Sequence, residues 1–383
     1  MSAEALALGD ATRRDPYPLY ARLREREPLS GALLPGTLAV SRYADVVDVL
    51  HRPGAFASRI MRPADPVLLG ADGDEHGRSR AWVGDAMATL PVGELLRAAE
   101  RAADRLMVGL RRSRPADLVK ELAEPLPIAL TAAMLGLPRE RLDDLRRWSA
   151  AVVALGTGTA APGDARALAD AQDEFAAFLR SELARRRRLP GGDVLSALLR
   201  EPPSGSSVDE RLVSVSRLLV IAGHETTSGL IAGAAHALLR RPSLLARAAA
   251  EPRLLRAVVE ETLRRDAPVQ FVYRVAAEDA PIGESRVLAG TVVVAMLGSA
   301  NRDGRRFPRP DEFDPDRRPP HHLAFGAGAH ACLGAQLARI EARAALAALV
   351  RAGPWRCEEA EDEVPWRATL QLRAPARLLV TSG

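Results

Sequence analysis

Apolar positions in this chain recur mainly at three- and four-residue intervals, the spacing that lays one buried stripe along a helix. Asp15-Pro16-Tyr17-Pro18 opens such a run over Leu19–Glu27, since proline suits a first helical turn. Thr37–Val40 reads as a short strand and Tyr43–Leu50 as a short helix. Residues 53–74 are rich in Gly, Pro and Asp, hence loop. Further helices are predicted over Val92–Arg112, over Pro115–Leu135 and after Pro138, with Leu155–Gly163 a loop between helical runs. The longest periodic stretch, Ser207–Arg241, starts on a capping-box sequence, Ser207-Val208-Asp209-Glu210, and stops at Pro242. It predicts a rod of about 50 Å. Pro268–Arg274, Val292–Leu297 and Leu370–Leu372 read as short strands. Ala335–Val350 reads as a helix with Leu337, Ile340, Leu346 and Leu349 on its apolar face. The sum is a mainly α chain with a smaller β region, expected to form one domain over residues 1–383.

Composition narrows the function classes. The 383 residues are 47% hydrophobic, enough for a large core. The 53 basic and 49 acidic residues leave a net charge of +4, with no nucleic-acid or membrane signal. Lys120 is the only lysine. Asp10, Arg13, Arg14 and Asp15 interrupt the N-terminus before an apolar signal core forms, and no apolar run reaches about 18 residues, so neither a signal peptide nor a membrane span is expected. The two cysteines, Cys332 and Cys357, fit neither a disulfide framework nor zinc spacing, which suits a reduced, cytoplasmic setting.

The chemistry concentrates in Phe325-Gly326-Ala327-Gly328-Ala329-His330-Ala331-Cys332-Leu333-Gly334. The glycines allow tight turns, and the loop feeds straight into the Ala335–Val350 helix. Free N–H groups at that helix start are expected to lower the Cys332 thiol's pKa, and a thiolate ligates metals. A lone cysteine among glycines also fits an inert buried thiol; the full ten-residue pattern is far more specific. Four other groups stand out. His76 and Arg80 are spaced i,i+4 on one predicted helix face. Ala222-Gly223-His224-Glu225-Thr226-Thr227 puts a carboxylate and two hydroxyls mid-rod. Glu261 and Arg264 are spaced i,i+3, and Arg274 ends a strand. By spacing alone each fits a solvated pair or a polar patch.

Taken together, in this order, the groups resemble the cytochromes P450, with the Cys332 stretch similar to that family's haem-ligand loop. The resemblance covers nearly the whole chain and implies the P450 fold, a helical domain with haem between the long central helix and the Cys332 helix. It implies that Cys332 is the axial thiolate on the iron of haem b, with Phe325 packed beside it and Gly326, Gly334 and Ala222 bordering the cofactor. His76, Arg80, Arg274 and His330 would hold the propionates. Thr226 would support bound dioxygen and Glu225 relay protons, with His224 structural. Glu261, Arg264 and Arg317 would serve folding. Substrate contacts would come from Ile60 and Met61, beside Arg59, and from Val269, Phe271 and Leu370. Asn301-Arg302-Asp303 also matches, although Gly304 stands where the family usually has proline.

The implied activity is monooxygenation of a small organic substrate, free, carrier-tethered or peptidic, by hydroxylation, epoxidation or oxidative coupling in bacterial specialised metabolism. Electrons would come from NAD(P)H through a ferredoxin reductase and a ferredoxin, attracted by Arg78, Arg339 and Arg343; a monomer without a fused reductase is expected. Two rivals stay open: a peroxide-driven haem-thiolate enzyme, against which the Glu225-Thr226 pair argues, and a haem sensor without turnover. A c-type carrier is excluded because no Cys-x-x-Cys-His occurs.

Overall fold

The computed structural model describes residues 12, 14–31, 33–34, 36–58, 68–111, 115–157, 163–202, 208–317, 321–360, 363–367 and 369–382. In chain order the helices are α1 Tyr17–Arg26, α2 Tyr43–His51, α3 Gly73–Ala88, α4 Val92–Leu110, α5 Pro125–Met134, α6 Leu142–Thr157, α7 Ala165–Arg188, α8 Val194–Arg200, α9 Val208–Leu239, α10 Pro242–Ala250, α11 Leu254–Arg265, α12 Leu297–Ala300 and α13 Ala335–Arg351. The strands are β1 Leu29–Ser30, β2 Thr37–Val40, β3 Phe56–Ala57, β4 Ala116–Asp117, β5 Val272–Ala276, β6 Ala280–Ile282, β7 Ser285–Val287, β8 Val292–Ala295, β9 Trp355–Cys357 and β10 Leu379–Ser382. They form a five-stranded sheet in the order β1-β2-β8-β5-β3, a three-stranded sheet β4-β10-β9 and the hairpin β6-β7. Only the β2–β8 pair is parallel.

The long helix α9 is the axle. Its C-terminal half buries Leu230, Ile231, Ala234 and Leu238 against Ala345, Leu346 and Leu349 of α13 and Ala99, Ala103 and Leu110 of α4. Its N-terminal half buries Leu212, Val215 and Val220 against Trp148 of α6, Phe175 and Leu179 of α7 and Leu195 of α8. Each buried Val, Leu, Ile or Phe among them contributes about 1.5–3 kcal/mol of transfer free energy. This helix alone among the described residues is long and apolar enough to cross a membrane, but 61% of that stretch is buried inside the protein, as a core helix requires.

Several expectations change. Pro115–Leu135 is not one helix. Ala116 and Asp117 pair with Val380 and Leu379, Val119–Ala123 forms a wide π turn, and α5 begins only at Pro125. Pro125 and Pro127 lack N–H donors, so the ladder cannot continue through them; Glu124 N–H instead reaches back to Val119 O at 2.9 Å. Regular pairing in the 268–274 stretch starts at Val272, and of the Leu370–Leu372 strand only a bridge between Val269 and Leu372 forms. Helix α6 runs on to Thr157, and the Ser207 cap lies outside the described residues.

Candidate functional site

The Cys332 loop is held open by its backbone. Gly326 and Gly328 have φ of 66° and 68°, in the left-handed region, and a Cβ on Gly328 would collide with the Leu50 carbonyl oxygen. The Cys332 N–H donates to Phe325 O at 2.9 Å. Gly334 caps α13, so Cys332 sits two residues ahead of the helix cap. The residue is exposed, yet protein atoms crowd its sulfur. That crowding pushes the thiol pKa up, against the pull of the Gly334 N–H, Arg80 and Arg339. The expected lowering by the helix start is therefore overturned for the chain by itself: desolvation outweighs the N–H groups. A metal cation at the sulfur removes the proton outright.

Around the loop lies a cluster of basic side chains. The His76 and His330 rings stand 3.9 Å apart. His330 Nε2 lies 3.2 Å from Asp72 Oδ1, and Asp72 also accepts the Ser58 N–H. Burial, then His76 and Arg274, push His330 down to about 4, and burial lowers His76 as well. Both imidazoles are thus neutral at pH 7. Arg274 is buried, and its hydrogen bond is to its own neighbour, Tyr273 O, at 2.7 Å. Neither Arg274 nor Arg80 has a carboxylate in ion-pair distance among the described residues.

One thiol, two arginines without carboxylate partners and two imidazoles are the donor set that an iron porphyrin with two propionates needs. A buried guanidinium without a counter-charge is costly, and an anionic ligand relieves that cost. The residues present therefore fit haem.

Mid-length, α9 carries the acid–alcohol motif. Thr226 Oγ1 donates to Ala222 O at 3.2 Å. Gly223 is required because a Cβ there would lie 2.6 Å from Thr131 Oγ1 of α5. His224 Nδ1 lies 2.8 Å from Val220 O, its other nitrogen 3.6 Å from Glu225 Oε1. Glu225 Oε2 accepts from Arg367 Nη1 at 2.8 Å, and Arg367 Nη2 is 3.8 Å from Glu124, which Arg146 also holds at 3.0 Å. Burial would raise the Glu225 pKa, but His224 and Arg367 bring it to about 2. Glu124, Arg146, His224, Glu225, Ser228 and Arg367 line a solvent-open cavity of about 460 Å³.

A second hub joins Glu261 and Arg264 at 2.7 and 2.9 Å, with Arg317 Nε 3.5 Å from Glu261. The Asp314 N–H also donates to Glu261. Arg339 is bound by Glu260 at 2.6 and 2.9 Å and stacks over the Phe325 ring at 4.5 Å, so it is not a free surface cation. Arg78 and Arg343 are exposed.

The substrate candidates divide. Val269 packs against the cluster under the large sheet, the same one that Ala327 of the Cys332 loop packs against. Phe271 and Leu370 instead join Tyr17, Tyr20 and Met296 in the N-terminal core. Alternation alone would put Val269 and Phe271 on one face, but regular pairing starts only at Val272, and in the irregular stretch ahead of it the two divide. Ile60 and Met61, with Arg59, lie outside the described residues. Sequence reasoning missed Asp72, Arg367, Glu124, Glu260 and His322. Asp72, the N-cap position of α3, was the one with a local signal.

Comparison with known proteins agrees with this geometry. The family model described as "Cytochrome P450" matches residues 164–379. Cytochrome P450 107B1 of Saccharopolyspora erythraea is 34% identical over 99% of this chain and 98% of its own. Nocardicin C N-oxygenase of Nocardia uniformis subsp. tsuyamanensis is 36% identical, over 97% of both chains. The ligand-free structure of cytochrome P450 TbtJ1 superposes with a TM-score of 0.90 at 30% identity, over 98% of this chain and 99% of that one. The chain belongs to the cytochrome P450 family, haem-b oxidoreductases that use dioxygen and electrons drawn from NAD(P)H.

Proposed function

We propose that the protein oxygenates a small organic substrate in bacterial specialised metabolism, with haem ligated by Cys332 and bordered by Phe325, Gly326, Gly334 and Ala222. The likeness to a nocardicin C N-oxygenase supports that setting. When bound, the haem supplies dioxygen activation and transfer of one oxygen atom. Arg80 and Arg274 hold its carboxylates as charge-assisted donors, with His76 and His330 beside them. Val269 borders the substrate. The observation that carries the reading is Glu225: a carboxylate on a buried helix, facing a solvent-open cavity, one residue from Thr226. A reaction that consumes protons needs such an inlet; peroxide-driven turnover does not.

Glu225 passes a proton from cavity water to the Thr226 hydroxyl. With Arg367 bound the carboxylate stays ionised at neutral pH. The pair must open for a proton to be carried, and Glu124 is the waiting second partner for Arg367. A ferredoxin, reduced by its reductase, delivers electrons to a cytoplasmic monomer, with exposed Arg78 and Arg343 as docking candidates.

The test is Thr226→Ala. It should keep the ferrous–carbonyl band of a thiolate-ligated haem while diverting NADH electrons from product to hydrogen peroxide. Equal coupling in variant and parent would refute the relay.

A further inference from the structure

Glu260 of α11 and Arg339 of α13 meet in a two-pronged pair, Nε to Oε1 at 2.6 Å and Nη2 to Oε2 at 2.9 Å. The same carboxylate receives His322 Nε2 at 3.1 Å, while His322 Nδ1 accepts the Ala324 N–H at 3.3 Å. That arrangement assigns the tautomer: the proton sits on Nε2. Burial would raise Glu260, but His322 and Arg339 bring it to about 2, so it is an anion. Arg339 in turn lies over the Phe325 ring at 4.5 Å, and Phe325 O accepts the Cys332 N–H. The circuit thus runs from the backbone just ahead of Phe325, through two helices, to the Phe325 ring, whose own carbonyl oxygen holds the Cys332 N–H. None of these contacts is needed to make the α11–α13 interface, which Leu255, Val259 and Leu263 already pack with Leu346 and Leu349.

We infer that Glu260, assisted by His322, is a positioning residue that fixes the Arg339 cation on the Phe325 face, and that the pair sets the electron donation of Cys332 and the reduction potential of the haem it ligates. This rests on the reading of Cys332 as the haem ligand. The signs follow from electrostatics. A cation near the sulfur favours the state with one more electron, so removing Arg339's charge lowers the potential. Removing Glu260's charge, together with the hydrogen bonds to one of its two oxygens, leaves Arg339 less compensated and raises the potential. A purely structural clamp would move both variants the same way.

The experiment is a mediated dithionite titration of the haem-loaded full chain, in which one electron passes to the haem iron and no bond is made or broken. Glu260→Gln should raise the midpoint and Arg339→Gln lower it. Each shift should be roughly 30 to 60 mV, about three- to tenfold in the ferric-to-ferrous ratio at fixed poise. The double variant should return towards the parent, and Arg339→Lys should recover most of the loss. Same-sign shifts, or none, would overturn the inference. If Arg339→Gln retains no haem, an unchanged or lowered potential in Glu260→Gln overturns it alone. A parent lacking the thiolate-type ferrous–carbonyl band would sink the Cys332 reading and this inference with it; a parent that has the band and same-sign shifts sinks only the inference.

Discussion

Arg264 and Arg274 are both buried arginines, ten residues apart, and their surroundings are opposite. Arg264 is bound at two nitrogens by Glu261 and donates further to the carbonyls of Asn301, Pro310 and Glu312. Among the described residues Arg274 makes one hydrogen bond, to the carbonyl of the residue before it, and no ion pair, with Asp72 acting on it only from longer range. The first cation is satisfied by its own chain and builds structure. The second bears a desolvation cost that Asp72 offsets only in part, and burial holds its pKa below the usual value. The difference teaches that a buried charge left without a counter-charge marks where a ligand's charge belongs. A pair closed upon itself marks scaffold.

The largest expected effect breaks the scaffold side of this contrast. Arg264→Met leaves Glu261 buried without its cation, so unfolding free energy should fall by about 3–5 kcal/mol in denaturant titration; a loss below about 1 kcal/mol would show that the hub is not structural. Arg274→Met sharpens the other side. The haem-free chain should be no less stable, because the one hydrogen bond lost, to Tyr273 O, is offset by relief of the buried charge. The haem should leave faster by roughly ten- to a hundredfold, the worth of a charge-assisted hydrogen bond of about 1.5–3 kcal/mol. Apomyoglobin capture measures that rate, and an unchanged rate would remove Arg274 from the haem site. Glu225 and Arg367 fall between the two cases, paired yet facing solvent. Glu225 has its folded pKa depressed from 4.5 to about 2. Its contribution is therefore complete above about pH 4.5 and lost as pH falls towards 2. Glu225→Gln should flatten this acid limb by about 1–2 kcal/mol; parallel limbs in variant and parent would mean that the pair does not hold in solution.

What could be read from the sequence follows the same division. The Cys332 loop, the Glu225-Thr226 pair and the Glu261–Arg264 spacing are local, within one turn or one helix, so their residue types already carry the geometry. The partners that tune them are remote. Asp72 reaches His330 across 258 positions, Arg367 reaches Glu225 across 142, and Glu260 reaches Arg339 across 79. Nothing in the flanking sequence signals such pairings, which only the folded chain creates. Phe271 sits in the N-terminal core because the chain ahead of Val272 is irregular, so the parity it shares with Val269 does not carry the two to one face. The helix expected over Pro115–Leu135 failed because Pro125 and Pro127 mark a start at α5, where periodicity alone suggested continuity.

The most direct test of the central claim is the ferrous–carbonyl spectrum of the purified chain, supplied with haem precursor, beside that of Cys332→Ser. The parent should show the red-shifted Soret band of thiolate ligation, and the variant should lose it while keeping its fold by circular dichroism. A colourless parent, a parent ligated through imidazole, or a variant that retains the band would contradict the assignment of Cys332 as the haem ligand.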